Sequence, residues 1–161
     1  MLPRTGCAID LAGGAGRHSI WLTQRGLQVT LTDVSDVALS MAEQRAREIN
    51  CGLTTVNVDL TDLDAVPRGP WDLVLVVHYW QPSLIGWAKQ QLSDAGVLVY
   101  IQPTVTNLER HSRPSLRFLA EPGEIGRLAA GMQILEYSEA WRRGGQHEAR
   151  LVARRSSRAV Q

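Results

Sequence analysis

Only two cysteines occur among the 161 residues, and neither Cys7 nor Cys51 stands at a metal-ligand or C-x-x-C spacing. That excludes a thiolate metal cage and leaves two reduced thiols with no disulfide between them. Long apolar runs are also missing, since no stretch approaches the roughly 20 residues that span a bilayer. The N-terminus lacks a charged-then-apolar leader pattern, because strand-like sequence begins almost at once. These absences predict a cytoplasmic protein with no membrane partner and no metal. Without internal repeats, low-complexity tracts or a break in composition, residues 1–161 read as a single domain. Net charge is scarce as well, with 17 basic against 16 acidic side chains. The halves nevertheless differ: residues 1–80 carry 6 basic and 9 acidic groups, and residues 81–161 carry 11 and 7. A basic second half suits an anionic small molecule and argues only weakly for nucleic acid. Its densest run, Arg150 to Arg158, is accounted for by alternating strand positions and a frayed terminus.

What is present is an alternation of strands and helices. Cys7 to Leu11 is an apolar strand running into the glycine loop Gly13-Gly14-Ala15-Gly16 and then a helix. Leu27–Thr32 is β-rich and follows Gly26, a natural helix stop. Ser35 can cap a helix whose apolar positions are Val37, Ala38, Met41, Ala42 and Ile49. Leu53–Val58 forms a third strand, and Trp71–Val77 is apolar enough for one buried on both faces. Pro82 opens a helix to about Leu92, and Gly96 turns the chain into the strand Val97–Ile101. Residues 104–120 are a long connection without periodicity, a type often functional. A helix near Pro122–Ala130 follows, with Ile125, Leu128 and Ala129 on one face. The end reads as strands at about Gln133–Trp141 and His147–Arg155, joined by a hairpin turn at Arg142-Arg143-Gly144-Gly145. The predicted class is α/β: a Rossmann-like, doubly wound sheet, mostly parallel with a final antiparallel strand.

A glycine loop between strand and helix lets the backbone approach a nucleotide-like ligand at the carboxyl end of a sheet. Asp10 sharpens this. A dinucleotide pyrophosphate would be repelled by a carboxylate at the loop's mouth, whereas the ammonium of S-adenosylmethionine would be attracted. The third glycine of G-x-G-x-x-G is missing as well, its place falling on Ser19. Asp33 ends the second strand, where an acid accepts from both ribose hydroxyls or, alternatively, serves the helix start beside Ser35. Asp59 follows the third strand and reads alone as a turn residue.

The motif Asp10-Leu11-Ala12-Gly13-Gly14-Ala15-Gly16 resembles the first motif of class I S-adenosylmethionine-dependent methyltransferases, with Ala12 where the first glycine often sits. The second half resembles small bacterial methyltransferases loosely related to the tellurite-resistance group, through Asn107-Leu108-Glu109-Arg110, Arg113-Pro114 and Phe118 to Glu124. The resemblance runs from about Cys7 to Arg155. It implies methyl transfer from S-adenosyl-L-methionine to a small-molecule acceptor, with Asp59 accepting from the adenine amine. Cofactor contacts fall on Asp10, Ala12, Gly14, Gly16, Arg17, Asp33, Val34, Asp59, Leu60, Val77 and His78. Tyr79, after the fourth strand, and Arg110 and Arg113, on the long loop, are expected to face the acceptor, and His147 is the candidate general base. A non-catalytic binding domain is the alternative, and a nicotinamide-dependent reductase is the third reading. Family members usually carry lid helices before the first strand, whereas about six residues precede it here. A second subunit covering the site in a homodimer, an open pocket or a truncated chain start is therefore expected.

Overall fold

A computed structural model describes residues 2–156; Ser157 and Arg158, the end of the basic run, lie outside them. Among the described residues, seven strands form one sheet in the order β3-β2-β1-β4-β5-β7-β6. They are β1 Gly6–Leu11, β2 Leu27–Asp33, β3 Thr54–Asn57, β4 Trp71–Val77, β5 Leu92–Pro103, β6 Gln133–Trp141 and β7 His147–Arg154. The first five pair in parallel, and β7 is antiparallel to both β5 and β6. The expected class and the closing hairpin are both present.

Among the described residues, four α-helices complete the fold: α1 Arg17–Thr23, α2 Asp36–Glu48, α3 Ser83–Gln91 and α4 Glu124–Leu128. Strand alternation divides the central strands between two cores. Ile9, Leu11, Val74 and Val76 face α3 and α4, packing with Leu84, Ile85, Trp87 and Ile125. Ala8, Leu73 and Leu75 face the other way, toward Leu22 of α1. Each fully buried Val, Leu or Ile is worth roughly 1.5–3 kcal/mol, so β1 and β4, which bury apolar side chains on both faces, anchor the sheet.

Helix α2 starts as expected, with the Ser35 hydroxyl accepting from the Ala38 amide at 3.2 Å. Its buried face differs from the expected one. Leu39, Ala42 and Ala46 are buried, whereas Val37 (73% exposed), Met41 and Ile49 face outward. Two apolar stripes overlap in this sequence, and the one carrying small residues wins because α2 approaches the glycine loop closely. A further difference lies in β5, which begins at Leu92; the turn at Ala95 and Gly96 is absorbed as an irregularity opposite Trp71 and Leu73. The long connection contains two 3-10 turns, Val105–Glu109 and Leu116–Phe118, and its ends meet in a bridge between Thr104 and Ala120. Among the described residues, no helix is long and apolar enough to cross a membrane.

Candidate functional site

At the carboxyl ends of β1 to β4, a cleft of about 250 Å³ is lined by Ala12, Asp33, Val34, Val58, Asp59, Leu60, His78 and Tyr79. Six of the sequence-predicted cofactor residues and one acceptor residue thus meet in one place. Ala12 holds a left-handed backbone, φ 54, at the end of β1, the position where glycine would be unstrained. Asp33 ends β2 with both oxygens engaged. One accepts from the Gly14 amide and the other from the Ser35 amide, each at 2.9 Å. The carboxylate therefore fixes the glycine loop to the start of α2, the helix-start role, while the residue also lines the cleft.

Asp59 accepts from the Thr61 amide and hydroxyl through one oxygen, at 2.9 and 2.8 Å, which leaves the other available. Those bonds hold its carboxyl below the usual range. Tyr79 is pushed upward by burial, with Asp59 and Asp33 adding to the effect, so its phenol stays neutral. Gln81, which the sequence reading passed over, ties the rim together. Its carboxamide donates to the Leu60 carbonyl at 2.9 Å, and its amide donates to the Tyr100 hydroxyl at 3.3 Å.

Asp10 is a correction. Its side chain does not stand at the mouth of the loop but lies beneath it, 1% exposed, where the Ser19 hydroxyl donates to it at 2.6 Å. β1 alternation turns residue 10 toward α1, and Gly13 covers it so closely that a Cβ there would fall 2.6 Å from the carboxylate. Burial raises the Asp10 carboxyl to about 6 against the opposing effect of Ser19. The glycines also divide. A Cβ on Gly14 (φ +55) would enter open space, whereas one on Gly16 would lie 2.8 Å from Ala42 Cβ. The absence of a side chain at Gly16 thus serves packing against α2.

Other expectations fall outside the cleft. Arg17 is exposed and does not line it, and Val77 packs inward against the α1-side core. His147, the candidate general base, does not line the cleft either. Its Nδ1 lies 2.7 Å from the Thr104 hydroxyl, its backbone is bonded to Asn107, and its ring packs edge-on against Trp141. Arg110 stacks over Trp141 at 3.9 Å, and with Arg113 it lines a separate depression beside Gly144 and Gln146. These residues bind the long loop to the β6–β7 hairpin, helped by His111, which donates to the Gly145 carbonyl at 2.6 Å.

The next residue on β7 does reach the cleft's edge. Glu148, its side chain 7% exposed, accepts from His78 Nε2 at 2.8 Å, and its second oxygen takes Arg150 Nε and Nη2 at 3.1 and 2.8 Å. Burial pushes this carboxyl up, but the bonds from Arg150 and His78 outweigh it and hold the group below its ordinary range. His18 on α1 is shifted down by burial, then by Arg17 and His78. Strand phase was the missing signal: pairing Pro103 with Glu148 sends residue 148, not 147, toward β4.

Residues 8–96 match the methyltransferase domain family. No curated protein matches the sequence. The fold superimposes on TehB from Haemophilus influenzae with a TM-score of 0.80 at 18% identity, over 93% of this chain and 57% of that one. The chain therefore spans little more than half the length of that relative. A S-adenosylmethionine-dependent methyltransferase from Clostridium acetobutylicum ATCC 824 gives 0.75 at 13% identity, covering 97% and 86%. The cyclase SpnF also gives 0.75, at 16% identity, covering 94% and 74%.

Proposed function

The chain belongs to the methyltransferase domain family, and on that premise we propose that it transfers a methyl group from S-adenosyl-L-methionine to a small-molecule acceptor in the cytoplasm. The observation carrying this reading is the pair of acids Asp33 and Asp59 on successive strand ends, facing one cleft across Val34 and Leu60. An adenosyl group fits that donor set. Asp33 and Asp59 retain lone pairs for ribose hydroxyls and the adenine amine, and Val34, Val58 and Leu60 supply apolar walls for the ring. The open space over Gly14 lets the ligand lie against bare backbone.

When bound, the cofactor supplies an electrophilic methyl carbon on a sulfonium. The protein's part is to align an acceptor with that carbon and exclude water. At about 250 Å³ the cleft is smaller than the roughly 300–1,000 Å³ of whole ligand pockets, so it encloses a nucleoside-sized portion and leaves the remainder at the edge near His78. That openness favours, as a second reading, a domain that binds the cofactor without turning it over.

Calorimetry with S-adenosylmethionine, S-adenosylhomocysteine and NAD separates the readings. Binding of both adenosyl ligands and not NAD is expected. Asp33→Ala should weaken S-adenosylhomocysteine by at least tenfold, since a hydrogen bond to a charged group is worth about 1.5–3 kcal/mol. Preference for NAD, or an unchanged affinity in folded Asp33→Ala, would overturn the assignment.

A further inference from the structure

We propose that His78 is the proton acceptor for the nucleophile that takes the methyl group, held in register by Glu148 as its positioning residue. This rests on the methyl-transfer reading above and narrows the acceptor to a protic nucleophile, such as a phenol or alcohol hydroxyl.

Placement comes first. Asp59 follows β3 and His78 follows β4, and the order β3-β2-β1-β4 puts three inter-strand spacings between them. At about 4.8 Å each, that is roughly 14 Å, so an adenine near Asp59 and a ribose near Asp33 leave the reacting end of the ligand toward His78. His78 therefore marks the acceptor side of the cleft, and its side chain is 45% exposed there.

Orientation comes next. Glu148 is ionised and buried, and it can only accept, so the Nε2 that faces it at 2.8 Å carries the proton. A neutral His78 ring is then left with a bare lone pair on Nδ1, the arrangement by which a carboxylate fixes the tautomer of a histidine base. Arg150 occupies the other Glu148 oxygen with two donors, so the carboxylate cannot rotate away without leaving a buried charge unpaired. The His78 backbone is itself left-handed, φ 58, and its amide donates to the Ile101 carbonyl at 2.8 Å. A residue kept in that region by its surroundings is characteristic of functional positions. The charged or titratable groups around His78 are Glu148 from β7, itself held by Arg150, His18 from α1, and Asp33, Asp59 and Tyr79, which line the same cleft.

The step balances simply. The acceptor's electron pair forms the bond to the methyl carbon while the carbon–sulfur pair returns to sulfur. The acceptor's proton passes to His78 Nδ1, and from there to water. A thioether or tertiary amine needs no such base; a hydroxyl does.

The test uses the full chain labelled with 15N-histidine, whose four histidines give separate long-range proton–nitrogen signals. In neutral His78, Nε2 is expected to carry the proton and Nδ1 to be bare. Sinefungin, which places an amine where the methyl would be, should displace the His78 Nδ1 signal more than S-adenosylhomocysteine does, with His111 and His147 unmoved. Glu148→Gln should keep S-adenosylhomocysteine affinity within about twofold and lose the single tautomer. A proton on Nδ1 in the wild type, or sinefungin binding that leaves His78 unmoved, would overturn the proposal. A Glu148→Gln protein that keeps the single Nε2-protonated tautomer would remove Glu148 from its role. Failure of either adenosyl ligand to bind would instead overturn the methyl-transfer reading itself.

Discussion

Replacing Asp10 by Asn should make the protein progressively more stable than the wild type as pH rises. The carboxyl is 1% exposed and lies at about 6 in the folded chain, against 3.8 for the unfolded group, because burial outweighs the Ser19 hydrogen bond. For an acid raised in the folded state, the contribution to stability is complete below 3.8 and is lost as pH climbs through about 6. At about 1.4 kcal/mol per pH unit, the loss from this group between pH 4 and pH 8 is about 2.5 kcal/mol. Asn keeps the acceptor for Ser19 and cannot ionise. Any constant cost of burying its amide hydrogens shifts both ends of the pH range equally. The difference in unfolding free energy between variant and wild type, from urea transitions at pH 4 to 8, should therefore grow by about 2.5 kcal/mol. The same variant should bind S-adenosylmethionine more weakly, having lost the charge beneath the loop. A stability difference that stays flat across that range would refute the account of a buried, ionising Asp10.

Ala12→Gly should raise stability by about 1 kcal/mol in urea or thermal unfolding, because φ 54 is strained for alanine and free for glycine. Gly14→Ala and Gly16→Ala should separate: the first lowers S-adenosylhomocysteine affinity and costs about 1–2 kcal/mol for its left-handed backbone, φ +55, while the second bears the same backbone cost at φ +75 and, with its Cβ 2.8 Å from that of Ala42, loses about 1–3 kcal/mol more. Light scattering should report a homodimer, since α1 and α2 cover β1 to β3 and leave Val77, Val99 and Val152 only partly buried on the same sheet face; a strict monomer would reject it.

The sheet was legible because its signals are local. Trp71 to Val77 is apolar on consecutive positions, as a central strand must be, and the Arg142–Gly145 turn fixes the hairpin; the Gly145 amide bonds back to the Arg142 carbonyl at 2.9 Å. The acids Asp33 and Asp59 were legible for the same reason, as each sits where a strand stops. Less accessible were properties decided by phase and by distant partners. Val37 and Met41 satisfy a helical stripe as well as Leu39 and Ala42 do, and only the approach of Gly16 to Ala42 selects between them. His147 attracts notice as the histidine that starts the last strand. Pairing in β7 turns it toward Thr104 and Trp141, and sends the plainer Glu148 to His78.

Asp10 and Ser19 show why departures from a glycine fingerprint carry information when taken together. In a dinucleotide site the third glycine brings helix and strand close and leaves the loop free for a pyrophosphate. Here that position holds a fully buried serine whose hydroxyl satisfies the acid nine residues earlier. The two departures are one device, a carboxylate kept under the loop by a donor from α1. Restoring glycine at position 19 would remove the donor and leave a buried charge without its side-chain partner, which costs more than an exposed one. A pyrophosphate lying on that loop would meet the field of Asp10 through a layer of low dielectric, where repulsion is least screened. A cationic ligand would meet the same field as attraction. On the proposed reading the buried pair would thus disfavour a nicotinamide dinucleotide and favour an adenosyl sulfonium, and would do so from beneath the loop, without needing to touch the ligand.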